Sequence, residues 1–376
     1  MSDPQNAPLL EELRLGDLSL ANRVVMAPLT RSRSAADGHT QTGLHALYYS
    51  QRAGAGLIVS EATQISTEGQ GYAWTPGIFT DAQVESWRVV TDAVHDAGGH
   101  VFCQLWHVGA ISHPVFHDGA APVSSSAWTP KGQAFVGDYH PDGPTIDHPE
   151  ARALGTEEIA RVIGDYRHAA ECAKAAGFDG VEVHGANGYL IDQFIRSSVN
   201  RREDRYGGSV ENRLRLLGEV VDAVCEVLPA ERVGVRLSPT GGPGGSHDDD
   251  PETTYAAAAA ALSGRGLAYL HVVRPNDQTG AGGAGDVIAK MRSAFDGAFI
   301  ANGSFSPEEG AAWIESGKAD AIAFGRMFIA NPDLPERIAA GGPFNEADPD
   351  TFYGGGAEGY TDYPPLDRTE DALDVA

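Results

Sequence analysis

The feature that most limits how this 376-residue chain can fold is an alternation of short apolar runs with longer amphipathic ones, repeated eight times. The apolar runs fall at 24–30, 57–65, 101–107, 180–184, 233–238, 267–273, 298–302 and 321–324 and read as strands. Helical patterns follow at 41–54, 81–97, 156–176, 209–228, 252–264, 284–294, 306–317 and 332–340. Strands that alternate with helices run parallel, because each helix carries the chain back across one face of the sheet. Eight such units favour an α/β fold closed into a single (β/α)8 TIM barrel over an open doubly wound sheet. No G-x-G-x-x-G follows the first strand, which weakens the dinucleotide-fold alternative. Thr156-Glu-Glu and Ser306-Pro-Glu-Glu read as helix starts, and Gly98-Gly99 and Gly177 as helix stops.

Three stretches lie outside this repeat. Leu13-Arg-Leu-Gly-Asp-Leu-Ser-Leu20 alternates around a Gly-Asp turn and reads as a hairpin. Residues 108–150, rich in Pro, Gly, Ser and His, form a long loop excursion after the third strand, over one end of the barrel. Residues 240–251 are so rich in Gly and Asp that they predict a mobile surface loop. None looks like a second domain, so residues 1–376 are expected to form one.

Charge narrows the functional classes. With 52 acidic against 27 basic side chains the formal net charge is -25, an unfavourable field for nucleic acid or an anionic membrane. A phosphorylated cofactor must therefore be held by local basic groups. No apolar run is long enough to span a bilayer, and the start of the chain has neither the basic nor the apolar region of a signal peptide. The expected location is cytoplasmic. Cys103, Cys172 and Cys225 are scattered, which argues against a metal, an iron–sulfur cluster or a disulfide. Each reads as a small buried hydrophobe.

Barrel enzymes build their active sites at the C-terminal ends of the strands, so the polar residues there carry the functional argument. Val181-Glu-Val-His-Gly-Ala-Asn-Gly-Tyr189 places Glu182 and His184 on one strand face and then breaks between two glycines. His184, Asn187 and Tyr189 can converge there, two hydrogen-bond donors and a phenolic proton source for an activated carbonyl compound. Alternation puts Thr30 with Pro28 and Met26, Gln104 with Phe102 and Trp106, and Arg236 with Gly234, all expected to face the barrel mouth. An unpaired charge in a barrel costs on the order of several kcal/mol, so Arg236 requires an anion: Glu182, a bound cofactor, or both. The last two loops, Asn302-Gly303-Ser304 and Gly325-Arg326, have the form of the phosphate site that barrels place after strands seven and eight. Glycines there let backbone N–H groups approach an oxyanion, and Arg326 can fork onto it.

These residues, with their neighbours, resemble the Old Yellow Enzyme family of FMN-dependent ene-reductases. The resemblance is carried by Ala27-Pro-Leu-Thr-Arg-Ser-Arg33, Ser60-Glu-Ala-Thr63, Gln104-Leu-Trp-His-Val-Gly109, His184-Gly-Ala-Asn-Gly-Tyr-Leu190, Asp192-Gln-Phe, Asn200-Arg-Arg-Glu-Asp-Arg-Tyr-Gly-Gly-Ser209, Val235-Arg-Leu-Ser-Pro239, Phe324-Gly-Arg326 and Thr351-Phe-Tyr-Gly-Gly-Gly-Ala-Glu-Gly-Tyr-Thr-Asp-Tyr-Pro364. The last motif looks most like the bacterial N-ethylmaleimide and pentaerythritol tetranitrate reductases. Thr30 matches the branch with Thr rather than Cys at that point. The stretch His271-Val-Val-Arg-Pro-Asn-Asp falls outside the likeness.

The resemblance implies noncovalent FMN in the barrel mouth, with residues 1–22 capping the far end and residues 343–376 extending over the site. It implies that Pro28, Leu29, Thr30, Ala62, Gln104 and Arg236 hold the isoalloxazine, and that Asn302, Gly303, Gly325 and Arg326 hold the phosphate. Trp106 and Tyr353 would wall the substrate space. In the reaction it implies, NADPH or NADH reduces FMN and an electron-poor alkene then takes its place. His184 and Asn187 bind the carbonyl or nitro oxygen, hydride leaves flavin N5 and Tyr189 supplies the proton. Reduction of nitrate esters or nitroaromatics by the same reduced flavin is the alternative. No metal is expected, and the protein is expected to be a monomer or homodimer. A flavin-free lyase or aldolase is disfavoured, since the strand ends offer no lysine.

Overall fold

The computed structural model describes residues 4–139, 143–274 and 287–366. Eight parallel strands close on themselves: β1 (Val24–Met26), β2 (Leu57–Val59), β3 (Val101–Trp106), β4 (Gly180–Gly185), β5 (Val233–Leu237), β6 (Tyr269–Val273), β7 (Ala298–Asn302) and β8 (Ala321–Phe324). Each pairs with the next, and β8 returns to β1 with Ile322 opposite Val24, which completes the (β/α)8 barrel. The outer helices are α1 (Gly43–Ser50), α2 (Asp81–Asp96), α3 (Thr156–Ala175), α4 (Arg215–Cys225), α5 (Pro251–Leu262), α6 (Val287–Ala294), α7 (Pro307–Glu315) and α8 (Leu334–Ala340). Their apolar faces and the outward strand residues, Val181 and Val183 among them, form the main core.

The barrel interior is filled from below. Leu13–Leu15 pairs with Leu18–Leu20 as the expected hairpin, and Leu15, Leu18 and Leu20 plug the end of the barrel against Val25, Leu57, Phe102 and Tyr269. Phe102 and Tyr269 stack with ring centroids 5.9 Å apart. They fit because the inward positions beside them are glycines. A Cβ at Gly180 would lie 2.4 Å from the Phe102 ring, and one at Gly234 would lie 2.2 Å from the Tyr269 ring.

Several boundaries differ from expectation. β1 ends at Met26, not at Thr30, and Met26 faces the helices while Val25 faces the interior. Thr30 therefore reaches the mouth on an irregular segment, not by strand alternation. The second strand bends at 60–62 and resumes as Thr63–Gln64 along β3. Gly155, not Thr156, caps α3, and the Glu158 carboxylate accepts from its N–H at 2.8 Å. Ser306 caps α7 as expected, and Gly177 follows α3 in the left-handed region at φ +86. The 209–228 pattern divides into Val210–Arg213 and α4. Residues 284–286 of the sixth helical pattern lie outside the described residues.

The Gly-rich segment 240–251 is fastened rather than mobile. Asp248 is almost fully buried, pairs with Arg213 at 2.5 Å, and accepts from the Ser197 N–H and the Thr254 hydroxyl. Gly-rich composition says nothing about such polar anchoring, which depends on partners distant in sequence. Cys103 and Cys172 are buried as expected, but Cys225 is only half-buried.

Gly234→Ala is expected to destabilise the protein by about 1–3 kcal/mol, because the added methyl overpacks the Tyr269 ring. Urea unfolding checks this. An unchanged midpoint would contradict the packing described for the barrel interior.

Candidate active site

A cavity of about 840 Å³ opens at the C-terminal ends of the strands, lined by Pro28, Leu29, Thr30, Arg31, Ser32, Tyr72, Trp106, Phe135, Tyr189, Arg326, Ile329, Pro349, Phe352 and Tyr353. Its size falls within the ordinary range for small-molecule and cofactor sites, roughly 300–1,000 Å³. Pro28, Leu29, Thr30, Trp106, Tyr189, Arg326 and Tyr353 of the expected set line it directly. Ala62 lies behind, packed with Trp106, Tyr72 and Tyr189.

The floor is a polar layer spanning β3, β4 and β6. Glu182 is fully buried. One carboxylate oxygen accepts from Gln104 Nε2 at 2.7 Å, the other from His271 Nδ1 at 2.8 Å. Burial alone would raise its pKa, but the bonds from His271 and Gln104 and the field of Arg236 hold it below the ordinary value. Burial pushes the pKa of His271 down, and its Nε2 has no partner, which fits a neutral ring with the proton on Nδ1. Gln104 thus gives one amide hydrogen to Glu182 instead of offering its whole amide to a ligand.

Arg236 was expected to meet Glu182, a bound cofactor, or both. It makes no direct ion pair with Glu182, whose two oxygens face Gln104 and His271, although the carboxylate's field favours its charge. One terminal nitrogen donates to Asn302 Oδ1 at 2.9 Å, while the Asn302 amide donates to the Ala323 carbonyl at 2.8 Å. The Asn302 side chain is therefore committed to orienting Arg236. Among the described residues the buried Nε of Arg236 has no acceptor, nor has the buried indole N–H of Trp106. Native interiors rarely leave such donors unmatched, so both point to a ligand that accepts hydrogen bonds.

The loop after β4 is locked into shape. Asn187 and Gly188 both adopt left-handed backbone, at φ 58 and φ 76. Asp192 is fully buried and accepts from the Gly188 N–H at 2.7 Å, Arg196 Nε at 2.8 Å and the Tyr255 hydroxyl at 2.5 Å. The Asn187 N–H donates to the Ser238 hydroxyl at 2.7 Å. Gln193 ties this loop to the one after β3 through the carbonyls of Gly188 and Val108.

That frame sets Tyr189 edge-on to both His184 and Trp106, with centroids 5.1 Å away in each case. Its hydroxyl lies 3.2 Å from that of Tyr72. Burial and the neighbouring Tyr72 push the Tyr189 phenol well above its ordinary pKa. Burial, Arg236 and His271 push His184 well below its own. The Ala186 N–H approaches His184 Nδ1 at 3.3 Å, which leaves the proton of a neutral ring on Nε2. The site therefore holds a neutral imidazole donor beside a fully protonated phenol.

The loops expected to take a phosphate lie at the ends of β7 and β8. Arg326 follows β8, is exposed and forms no ion pair among the described residues. Gly325 stands beside Leu29, and Gly303 takes φ +133, a region open to glycine. Taken together, unmatched donors, a buried guanidinium, an aromatic wall and a free arginine fit a flat, hydrogen-bond-accepting, phosphorylated cofactor. Among the described residues no grouping of His, Cys, Asp or Glu could hold a metal, and no helix is long and apolar enough to cross a membrane.

Sequence reading placed the outer rim but not the contacts that hold it. The 108–150 excursion does cross the mouth, where the antiparallel pair Gln133–Phe135 and Thr145–Asp147 brings in Phe135. The C-terminal segment does extend over it, with Tyr353 63% exposed at the edge; residues 367–376 lie outside the described residues. Arg31 and Arg33 clasp that segment. Arg31 donates to the carbonyls of Phe352 and Gly359 at 2.9 and 2.8 Å, and Arg33 to that of Thr351 at 2.9 Å. Both arginines sit in the quoted Ala27–Arg33 motif, but nothing in the sequence showed what they hold. Tyr72 and Glu61 gave no signal of their own. Glu61, just before Ala62, is buried with only long bonds from Arg31 N–H (3.5 Å), Gln41 (3.4 Å) and Tyr49 (3.4 Å), and burial pushes its carboxyl up to about 7.

The comparisons agree with this geometry. A family model described as the NADH:flavin oxidoreductase / NADH oxidase family matches residues 8–345. The probable flavin mononucleotide-dependent alkene reductase of Leishmania infantum is 46% identical over 357 residues, covering 95% of this chain and 97% of that protein. Morphinone reductase in complex with tetrahydroNAD superposes with a TM-score of 0.91 at 49% identity, covering 98% of this chain and 99% of that one. An old yellow enzyme homologue from Zymomonas mobilis gives a TM-score of 0.91 at 45% identity, with coverages of 95% and 99%.

Glu61 makes a pH prediction. A carboxyl with a raised folded-state pKa binds its proton more tightly folded than unfolded, so stability falls as pH rises from the unfolded value of 4.5 to about 7. Glu61→Gln is expected to remove that loss, about 3 kcal/mol. Unfolding midpoints across this range, with the same slope in both proteins, would contradict it.

Proposed function

The chain belongs to the NADH:flavin oxidoreductase / NADH oxidase family, the Old Yellow Enzymes, and from that premise we propose that it is an FMN-dependent reductase of alkenes activated by a carbonyl or nitro group, with a nicotinamide nucleotide as reductant. The observation that carries this is the arrangement beside the cavity, where the Tyr189 ring stands edge-on to both His184 and Trp106 with centroids 5.1 Å away.

FMN bound in the mouth supplies the hydride-transfer chemistry. Pro28, Leu29, Thr30, Ala62 and Gln104 would hold its ring, and Arg236 would place a fixed positive charge beside it. Asn302 orients Arg236, and Gly303, Gly325 and Arg326 would take the phosphate. Trp106 and Tyr353 bound the substrate space.

The chain's own part in alkene reduction is to bind one oxygen and deliver one proton. His184 Nε2–H, with Asn187, polarises the activating oxygen and makes the β-carbon electron-poor. A neutral imidazole suits this, because it donates a hydrogen bond without surrendering its proton. Tyr189 gives its proton to the α-carbon, and its high pKa keeps that proton in place throughout the neutral range. Tyr72, 3.2 Å away, is the nearest hydroxyl.

Tyr189→Phe is expected to leave flavin binding and its reduction by NADPH within a few-fold of wild type and to slow reduction of 2-cyclohexenone by up to about 10⁴. His184→Ala should cost about 10²–10³ in the same step, as for loss of an oxyanion-hole donor. Anaerobic stopped-flow measurement of the two half-reactions separates them, and wild-type enone turnover by Tyr189→Phe would overturn the assignment. In the wild type, enone reduction should show no inflection near the ordinary histidine pKa of about 6.5, because His184 is already neutral there.

A further inference from the structure

Arg274, the first residue after β6, does not line the cavity and lies in the stretch that falls outside the family likeness. Its guanidinium is nonetheless engaged on every side. Nε donates to the Gly303 carbonyl at 2.6 Å and Nη2 to the Ser304 carbonyl at 3.2 Å. Both terminal nitrogens grip the Glu309 carboxylate at the start of α7, one of them at 2.7 Å. Its plane lies 3.6 Å over the Phe305 ring, which Trp313 meets edge-on at 4.9 Å. Its own N–H donates to the Asn302 carbonyl at 2.7 Å.

We propose that Arg274 is a positioning residue for the phosphate of the cofactor, acting through the backbone of the loop after β7 rather than through its charge; this rests on the reading above that the loop grips phosphate. The charge is spent on Glu309. The backbone is what it shapes. Gly303 and Ser304 are both held at positive φ, +133 and +54, a conformation that Ser304 does not favour by itself. A Cβ at Gly303 would lie 2.6 Å from Arg274 Cγ, so the arginine stem and the glycine fit each other. In a trans peptide the C=O and the following N–H point in opposite directions. With the carbonyls of Gly303 and Ser304 held on the Arg274 side, the N–H groups of Ser304 and Phe305 are turned the other way. Neither they nor the Gly303 N–H has a protein acceptor among the described residues. Successive N–H groups turned together make an anion-binding concavity. A lysine, with three donors on one nitrogen, cannot span the two carbonyls and both Glu309 oxygens that the arginine fork reaches.

The test is titration of the full-length, flavin-free protein with FMN and, separately, with riboflavin, which lacks the phosphate. Arg274→Ala and Arg274→Lys are each expected to weaken FMN by about tenfold or more while riboflavin affinity stays within twofold. Glu309→Gln discriminates further. It removes a negative charge near the loop, so simple attraction predicts tighter FMN, whereas loss of positioning predicts weaker FMN. Wild-type FMN affinity in Arg274→Lys, tighter FMN in Glu309→Gln, or equal losses for FMN and riboflavin would each overturn the proposal. A wild-type chain that binds neither flavin would instead contradict the cofactor reading itself.

Discussion

A carboxylate with no access to water sits at the centre of the barrel, and the site depends on how it is balanced. Removing an ion of this size from water costs several kcal/mol even after relaxation, about that order, unless hydrogen bonds and an opposite charge offset it. Glu182 receives one bond from β3 through Gln104 and one from β6 through His271, while the field of Arg236 on β5 favours its charge. The glycines beneath make this possible. Gly180 and Gly234 admit the Phe102 and Tyr269 rings, which seal the layer from below. The layer thus fixes three strands relative to one another, and it leaves Arg236 charged and incompletely satisfied at the base of the mouth. A barrel built only for stability would gain nothing from that unmatched nitrogen. A barrel that binds a hydrogen-bond-accepting ring does.

Above this rigid floor the working parts are held by loops, each fixed by a buried or half-buried charge that touches backbone. Asp192 shapes the loop carrying Asn187 and Tyr189. Arg31 and Arg33 fasten the C-terminal segment that carries Tyr353. Arg274 fastens the loop after β7. The same device recurs because a charged side chain can satisfy several backbone groups at once, and so define a loop that has no ladder of its own.

Most of the barrel was legible in the sequence, since buried parallel strands and amphipathic helices leave opposite periodicities. The inward faces of β3, β4 and β5 were read correctly, because those strands continue to the residues in question. The same argument failed for Thr30, where β1 stops at Met26 and no periodicity extends into an irregular segment. The anion expected for Arg236 was Glu182, a bound cofactor, or both. The competition from Gln104 and His271 lay on strands 78 and 89 residues away, and no local pattern carries that. The charged fasteners were equally hidden. Arg31 stood inside a quoted motif and Arg274 outside any, yet each acts on carbonyls that only the folded chain brings near.

The central claim is that this mouth holds FMN and passes electrons from a nicotinamide nucleotide to an activated alkene. An anaerobic visible spectrum of the purified protein tests it most directly, recorded alone, after NADPH and then after 2-cyclohexenone. The account predicts a yellow absorbance band that bleaches with NADPH and returns with the enone. A protein that stays colourless after FMN is supplied, or a band that bleaches and does not return, would contradict it.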